Sequence, residues 1–168
     1  MPNAIFHVSA QEFAQIPGSS IVYWLSKPML DTFAKNKALE EIAEPKVGLQ
    51  TGDNARFVRE WWEPSSYKTG FDCESREESI EREVKWFPYN KGGEYHKWYG
   101  NQEFVVNWEN DGKELEDFRP RSVIRNPKTY FLPSISWSRI SSGAPAFRYF
   151  NEGHIYADTA PSIFRETA

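Results

Sequence analysis

Apolar and polar positions follow two rhythms along this chain, and the change falls near Pro45. Before it the spacing is helical. Ser9 followed by Glu12 is a capping-box pair and predicts a short helix over Gln11–Gln15. Ser26 ahead of Pro28 marks a helical first turn. Leu30, Phe33 and Ala34 then make an apolar stripe, which Leu39 and Ile42 continue after a break at Asn36 and which reads as packing. Two pieces interrupt this part: "FHVS" at 6–9 alternates like a strand, and "IVYWL" at 21–25 reads as a buried strand or a helix entry.

After Pro45 the period shortens to two. "KVGL" predicts a strand, "QTGDN" a turn and "ARFVREWW" a second strand with Phe57 and Trp61 on one face. "EPSSYKTG" is a loop and "ESREESIERE" a solvated helix or loop. The stretch 84–108 predicts strand, Gly-Gly turn and strand, and "ENDGKELEDF" a turn followed by a short acidic helix. "SISWSRIS" alternates, with Ile135, Trp137 and Arg139 on one side, and "SSGAPAFRYF" and "NEGHIYAD" lead into further strands. The pattern therefore predicts an α+β fold: a short helical part over 1–45, then a mainly antiparallel β region over 46–168, in one compact domain.

Composition narrows the classes. A chain of 168 residues, 39% hydrophobic and 26% charged, can enclose a core and is expected to fold. No apolar run approaches the roughly 18 residues of a membrane span, the first residues do not resemble a signal peptide, and a cytosolic location is expected. Cys73 alone forms neither an internal disulfide nor a thiolate zinc site. Seven Trp, eight Tyr and twelve Phe serve mainly a core, with an exposed stacking surface as the alternative.

The net charge of −4 argues against a nucleic-acid partner until its distribution is read. Six acids lie between Asp72 and Glu83, and six more between Glu103 and Asp117. Then the sign flips. From Arg119 to Arg148 there is no acid, only Arg119, Arg121, Arg125, Lys128, Arg139 and Arg148. Such a run either builds one basic face or is neutralised by the acidic segments in the fold.

Catalytic patterns are missing. "GLQTGDN" lacks the Lys-Ser/Thr of a nucleotide phosphate loop, so its glycines serve a turn or a close backbone approach. His7, His96 and His154 show no metal-ligand spacing; His96, in a basic aromatic run, is a phosphate-contact candidate or simply exposed. No serine sits in a hydrolase elbow. "RNPKTY" at 125–130 is a near-miss of the Asn-Pro-Pro-aromatic motif of amino-methylating enzymes. Lys128 replaces the second proline, Tyr130 falls one residue late, and the segment reads as non-catalytic.

Longer blocks are more specific. "YW" at 23–24, "GLQTGDNARFVREWW" at 48–62, "KWFPYNKGGEYHKWYGN" at 85–101, "VVNWENDG" at 105–112 and "ISWSRISSG" at 135–143 occur in that order. This series strongly resembles the adenine-specific DNA methyltransferases of bacterial BREX phage-defence systems, the PglX family. Thr-Gly-x-Asn followed by Phe is also similar to the opening of target-recognition domains in TaqI-like methyltransferases. The resemblance spans about Phe6 to Phe164 and implies a fragment just downstream of the catalytic domain, with 1–45 as the lead-in and 46–168 as a target-recognition-like sheet. S-adenosylmethionine chemistry would belong to the parent protein and no cofactor to this fragment. The implied partners are double-stranded DNA, the parent's catalytic domain and other defence-system proteins, with no membrane.

Reading DNA needs cations for phosphates and loop-borne polar groups for base edges. The candidates are Gln50, Thr51, Asn54 and Arg56 on one turn, Arg59 beyond it, Lys85, Lys91 and Lys97 among aromatic rings, and Arg139 with Ser141 on a later loop. Each is alternatively a turn residue or a surface charge. A protein-docking module is the competing reading, supported by the acidic balance and the aromatic surplus. A carbohydrate-type aromatic module ranks behind both.

Overall fold

The computed structural model describes His7, residues 9–38 and residues 41–164. The chain divides into two compact units, Met1–Ile42 and Ala43–Ala168.

In the first unit, helix α1 covers Ala10–Phe13, with the Ser9 amide donating to the Glu12 carboxylate at 2.7 Å as the capping pair requires. Helix α2 covers Lys27–Lys35, with Ser26 as N-cap and Pro28 in its first turn. Of the predicted stripe only Leu30 is buried; Phe33 and Ala34 are exposed, and Leu39 lies outside the described residues. "IVYWL" forms neither strand nor helix but a turn in which Tyr23 and Trp24 meet edge to face. The predicted strand at 6–9 falls largely on residues outside the described set.

The second unit carries two sheets, and with the helices ahead of them the fold is α+β as the pattern predicts. The first sheet has the order β1-β3-β2-β6, from β1 (Val58–Glu60), β2 (Trp86–Asn90), β3 (Phe104–Asn107) and β6 (Ile155–Tyr156). β1, β3 and β2 pair antiparallel, while β6 lies parallel to β2 through Tyr89↔Ile155 and Asn90↔Tyr156. The second sheet, β5-β4-β7, is antiparallel and consists of β4 (Ser134–Trp137), β5 (Phe147–Phe150) and β7 (Ser162–Phe164).

β2 is shielded on both sides and carries three aromatic residues, Trp86, Phe87 and Tyr89, in its five positions. Around it Leu49, Phe57, Phe87, Leu115, Phe131 and Ile155 are fully buried. Tyr130 stands edge-on to Trp108 and to Tyr156, at 5.2 and 5.4 Å between centroids. Each such ring contributes roughly 1.5–3 kcal/mol through burial.

Several local expectations are corrected. "ARFVREWW" is not one strand. The Asp53 carboxylate accepts the Arg56 amide at 3.1 Å and caps a single turn, α3 (Asn54–Phe57), before the three residues of β1. Phe57 is consequently buried, while Trp61 and Trp62 are about half exposed. "KVGL" makes isolated bridges to β7 and to Ala157 rather than a full strand. The hairpin between β2 and β3 closes through residues 91–103, not through a tight Gly-Gly turn. Helix α4 (Arg76–Glu81) forms in the polar stretch, and α5 (Glu109–Glu116) opens with a left-handed turn at Asn110, Asp111 and Gly112. β7 lies beyond the last predicted strand.

β4 inverts the usual pleat. Ser134 and Ser136 face inward, as do Ser162, Arg148 and Phe150, whereas Ile135 and Tyr149 face out. The Ser136 hydroxyl accepts from Asn90 Nδ2 at 2.8 Å and donates to the Pro161 carbonyl at 3.1 Å. Small hydroxyls thus form a hydrogen-bonded seam between the sheets where large apolar side chains are usual.

Candidate nucleic-acid interface

The strand directions bring three connections to one end of the second unit. β2 and β6 run parallel, so residues 91–103 and 157–161 leave from the same side. The loop after β4 joins them: the Arg139 amide donates to the Thr159 carbonyl at 2.9 Å, and Thr159 Oγ1 donates to the Lys91 carbonyl at 2.8 Å. The 50–53 turn is tied in by the Asp158 amide, which donates to the Leu49 carbonyl at 3.1 Å. Four segments far apart in sequence thereby become one loop cluster.

Two clefts open on it. The first, of about 220 Å³, is lined by Gln50, Thr51, Asp53, Asn54, Lys91 and Asp158. Thr51 Oγ1 donates to Asn54 Oδ1 at 2.7 Å, fixing the Asn54 amide, and Gln50 is exposed. Two carboxylates against one lysine make this cleft a hydrogen-bonding site rather than a cation-lined one. The second, of about 250 Å³, is lined by Gly93, Glu94, Ser138, Arg139, Ser141 and Arg148.

The glycines of the opening turn serve packing. An added Cβ at Gly48 would stand 1.9 Å from the Tyr156 carbonyl oxygen. At Gly52, where φ is +71°, it would stand 2.3 Å from the Arg121 carbonyl oxygen. Both face protein backbone, so the two glycines allow close packing of this turn. The near-motif also has a structural role: Asn126 Nδ2 donates to the Val47 carbonyl at 2.9 Å, and Tyr130 is buried.

Seven sequence-derived candidates therefore share the loop cluster: Gln50, Thr51, Asn54, Lys91, Lys97, Arg139 and Ser141. Lys97 is exposed, with its ammonium 5.1 Å from the Trp98 ring centroid. The other three lie elsewhere. Arg56 donates twice to Glu114, at 2.9 and 2.6 Å, and stacks on Phe57 and Phe118. Lys85 stands 3.6 Å from the same carboxylate, at the opposite end of β2 from Lys91. These cations, with Arg56 as the leading cause, hold Glu114 below the usual carboxylate pKa. Arg59 donates to the Ala55 and Val58 carbonyls and lies over Trp86.

The run 119–148 does not form one basic face. Arg119 pairs with Glu116 at 2.5 Å, Arg121 stacks on Phe118, and Arg148 is fully buried. The segment threads through the core at Tyr130 and Phe131 and then through two strands, which scatters its cations.

Arg148, counted in the basic run but not among the single-residue candidates, takes a place of its own. Its guanidinium donates to the His96 carbonyl at 3.3 Å and to Ser138 Oγ at 3.0 Å. Its Nε has no hydrogen-bond partner, and it forms no salt bridge among the described residues. An unsatisfied buried donor costs about 1–3 kcal/mol. Burial pushes its pKa below the usual guanidinium value, yet an arginine stays charged. The signal was period two in "FRYF", which puts Arg148 and Phe150 on one face.

Comparison with known proteins places the chain in a class: it matches a segment of adenine-specific methyltransferases. It is 38% identical over 169 residues to "Adenine-specific methyltransferase PglX" of Lacticaseibacillus casei (strain Zhang), covering 96% of this chain and 14% of that protein. It is 34% identical over 165 residues to "Adenine-specific methyltransferase BrxX" of Escherichia coli O9:H4 (strain HS), covering 98% of this chain and 13% of that protein. No family model matches. The chain thus corresponds to a segment of PglX-type methyltransferases and spans about one-seventh of the length of these relatives.

Proposed function

We propose that this chain is a DNA-target-recognition segment of a longer, BREX-type adenine-specific methyltransferase. On this reading it grips the duplex while a separate catalytic domain, which binds S-adenosylmethionine, methylates the exocyclic amine of a flipped adenine. The observation that carries the reading is the loop cluster, where polar groups from four distant segments share one exposed end. Major-groove base edges are read by side-chain amides and guanidiniums, with Gln or Asn pairing with adenine and Arg with guanine. Gln50 and Asn54 at the first cleft supply the amides, while Lys91, Lys97 and Arg139 supply cations. The chain itself performs no methyl transfer in this scheme.

The test is to replace Gln50 and Asn54 with Ala in the full-length methyltransferase and map the methylated sites. A relaxed or shifted site supports base reading; an unchanged site at unchanged rate removes both residues from it.

Protein docking is a second reading, favoured by one observation. The outer side of the β5-β4-β7 sheet is an open apolar cleft of about 350 Å³, lined by Ile135, Tyr149, Ile163 and Phe164. Its occupant would be another segment of the longer protein. Substituting Ile135 with Glu would then disturb assembly and leave site choice intact.

A further inference from the structure

The second cleft holds two arginines of opposite character. Arg139 is exposed at its rim, while Arg148 is buried against it with its Nε unpaired. Two of the connections that form the cleft close on Arg148. Its Nη1 donates to the His96 carbonyl of one loop, and its Nη2 donates to Ser138 Oγ at the start of another. Ser138 is itself held from both sides, donating to the Gly93 carbonyl at 2.8 Å and accepting the Gly93 amide at 3.2 Å. The fold therefore fixes a guanidinium at the meeting point of two loops and, among the described residues, pairs it with no carboxylate. Glu94 also lines the cleft and offsets one of the two positive charges. The remaining charge is +1.

We propose that this cleft is a seat for one phosphodiester of the DNA backbone, with Arg148 as its buried cation and Arg139 as its exposed one. The proposal rests on the DNA-reading assignment and adds a division of labour to it: the carboxylate-bearing first cleft addresses bases, and the second addresses the backbone. A phosphodiester carries a single negative charge, matching the net +1; a free phosphate, mostly dianionic near neutral pH, matches less well. Arginine suits this place because its planar fork holds the His96 and Ser138 oxygens while its charge, which forms no salt bridge among the described residues, acts on an anion in the cleft it lines. A cation locked in place by two loops also fixes register, which is the role of backbone contacts beside base contacts.

The experiment uses the ¹⁵N-labelled chain and follows the Arg148 Nε–H signal with the Ser138 and Gly93 amides. Two probes are titrated separately: dimethyl phosphate, and a random duplex of 14 base pairs with either native or neutral methylphosphonate linkages. The expected result is a saturable shift of these signals by dimethyl phosphate and by the native duplex, with none from the neutral duplex. Arg139→Ala should lower the magnitude of the salt slope of duplex binding by about 0.9, the value of one phosphate. Arg148→Lys, which keeps the charge and loses the fork, should weaken dimethyl phosphate binding several-fold. If dimethyl phosphate shifts the signals while no duplex binds at low salt, the cleft takes phosphodiesters but its assignment to the DNA backbone falls together with DNA reading by this chain. If duplex binds while the signals and the Arg139→Ala slope stay unchanged, DNA reading stands and the seat is overturned. Silence toward both probes overturns both.

Discussion

The two ends of β2 carry similar cations in opposite states. At the Lys85 end the charges are matched. Arg56 and Lys85 share Glu114, which also accepts from Asn107 Nδ2, and Arg76 and Asp111 form a two-pronged pair at 2.8 and 2.7 Å. At the Lys91 end, Lys91, Lys97, Arg139 and Arg148 form no salt bridge among the described residues. The difference teaches where to look for function. Cations already held by carboxylates would have to break those bonds to meet a phosphate, whereas unmatched ones lose only water. A net charge of −4 therefore says little about either end, because what matters is which cations the nearby acids pair with.

The largest expected effect falls on the scaffold of the loop end. Gly48→Ala forces a Cβ against the Tyr156 carbonyl, and we expect a loss of at least about 2–3 kcal/mol in urea unfolding. A wild-type midpoint would mean that the 46–50 segment yields and the loop cluster is loosely held. Next come paired charge removals. Lys91→Ala with Arg139→Ala should leave stability within about 0.5 kcal/mol and reduce the salt dependence of duplex binding. Arg56→Ala with Lys85→Ala should do the reverse, and identical behaviour of the two pairs would erase the distinction between the ends.

Smaller effects are expected from single groups. Glu114→Gln should cost about 0.5–1 kcal/mol near neutral pH, a modest figure because Arg56 and Glu114 are both more than one-third exposed. Since the folded state lowers the Glu114 pKa, wild-type stability from this group is complete above the unfolded carboxylate range. It declines as pH falls through the lower folded value. The Gln variant should lose that part of the acid dependence in denaturation curves. His154 is lowered too, mainly by burial, so the unfolded chain takes up its proton first. Stability should ease as pH drops below about 6.5, the ordinary histidine value, and His154→Gln should flatten that segment. At the alkaline side Tyr156, pushed up to about 12 by burial, keeps its proton longer in the fold. Stability should therefore fall as pH rises above the unfolded tyrosine range, and Tyr156→Phe should remove that contribution.

Much of this was legible in the residues. The capping pair at Ser9 and Glu12, Ser26 ahead of Pro28, and a turn followed by an acidic helix in "ENDGKELEDF" follow from short-range chemistry, which neighbours in sequence decide. The alternation in "SISWSRIS" marked β4, yet it did not tell which face is buried, and here the serines are inside. The turn at 50–53 was legible as a turn, while the helical turn after it depended on one cap from Asp53. Grouping the candidates was beyond reach. Arg56 precedes Glu114 by 58 residues and Arg148 follows His96 by 52, and no local pattern encodes those meetings.

Amino-acid order alone thus settled the class of the fold, the absence of a recognisable catalytic motif and the kinship with a methyltransferase segment. These rest on periodicity, spacing and long matching blocks, all of them local along the chain. Tertiary structure decided which cations are spent and which stay unmatched. Charge pairing depends on distances across space, and the parallel placement of β6 beside β2 brings the 91–103 and 157–161 connections to the end where Arg139 and Arg148 meet.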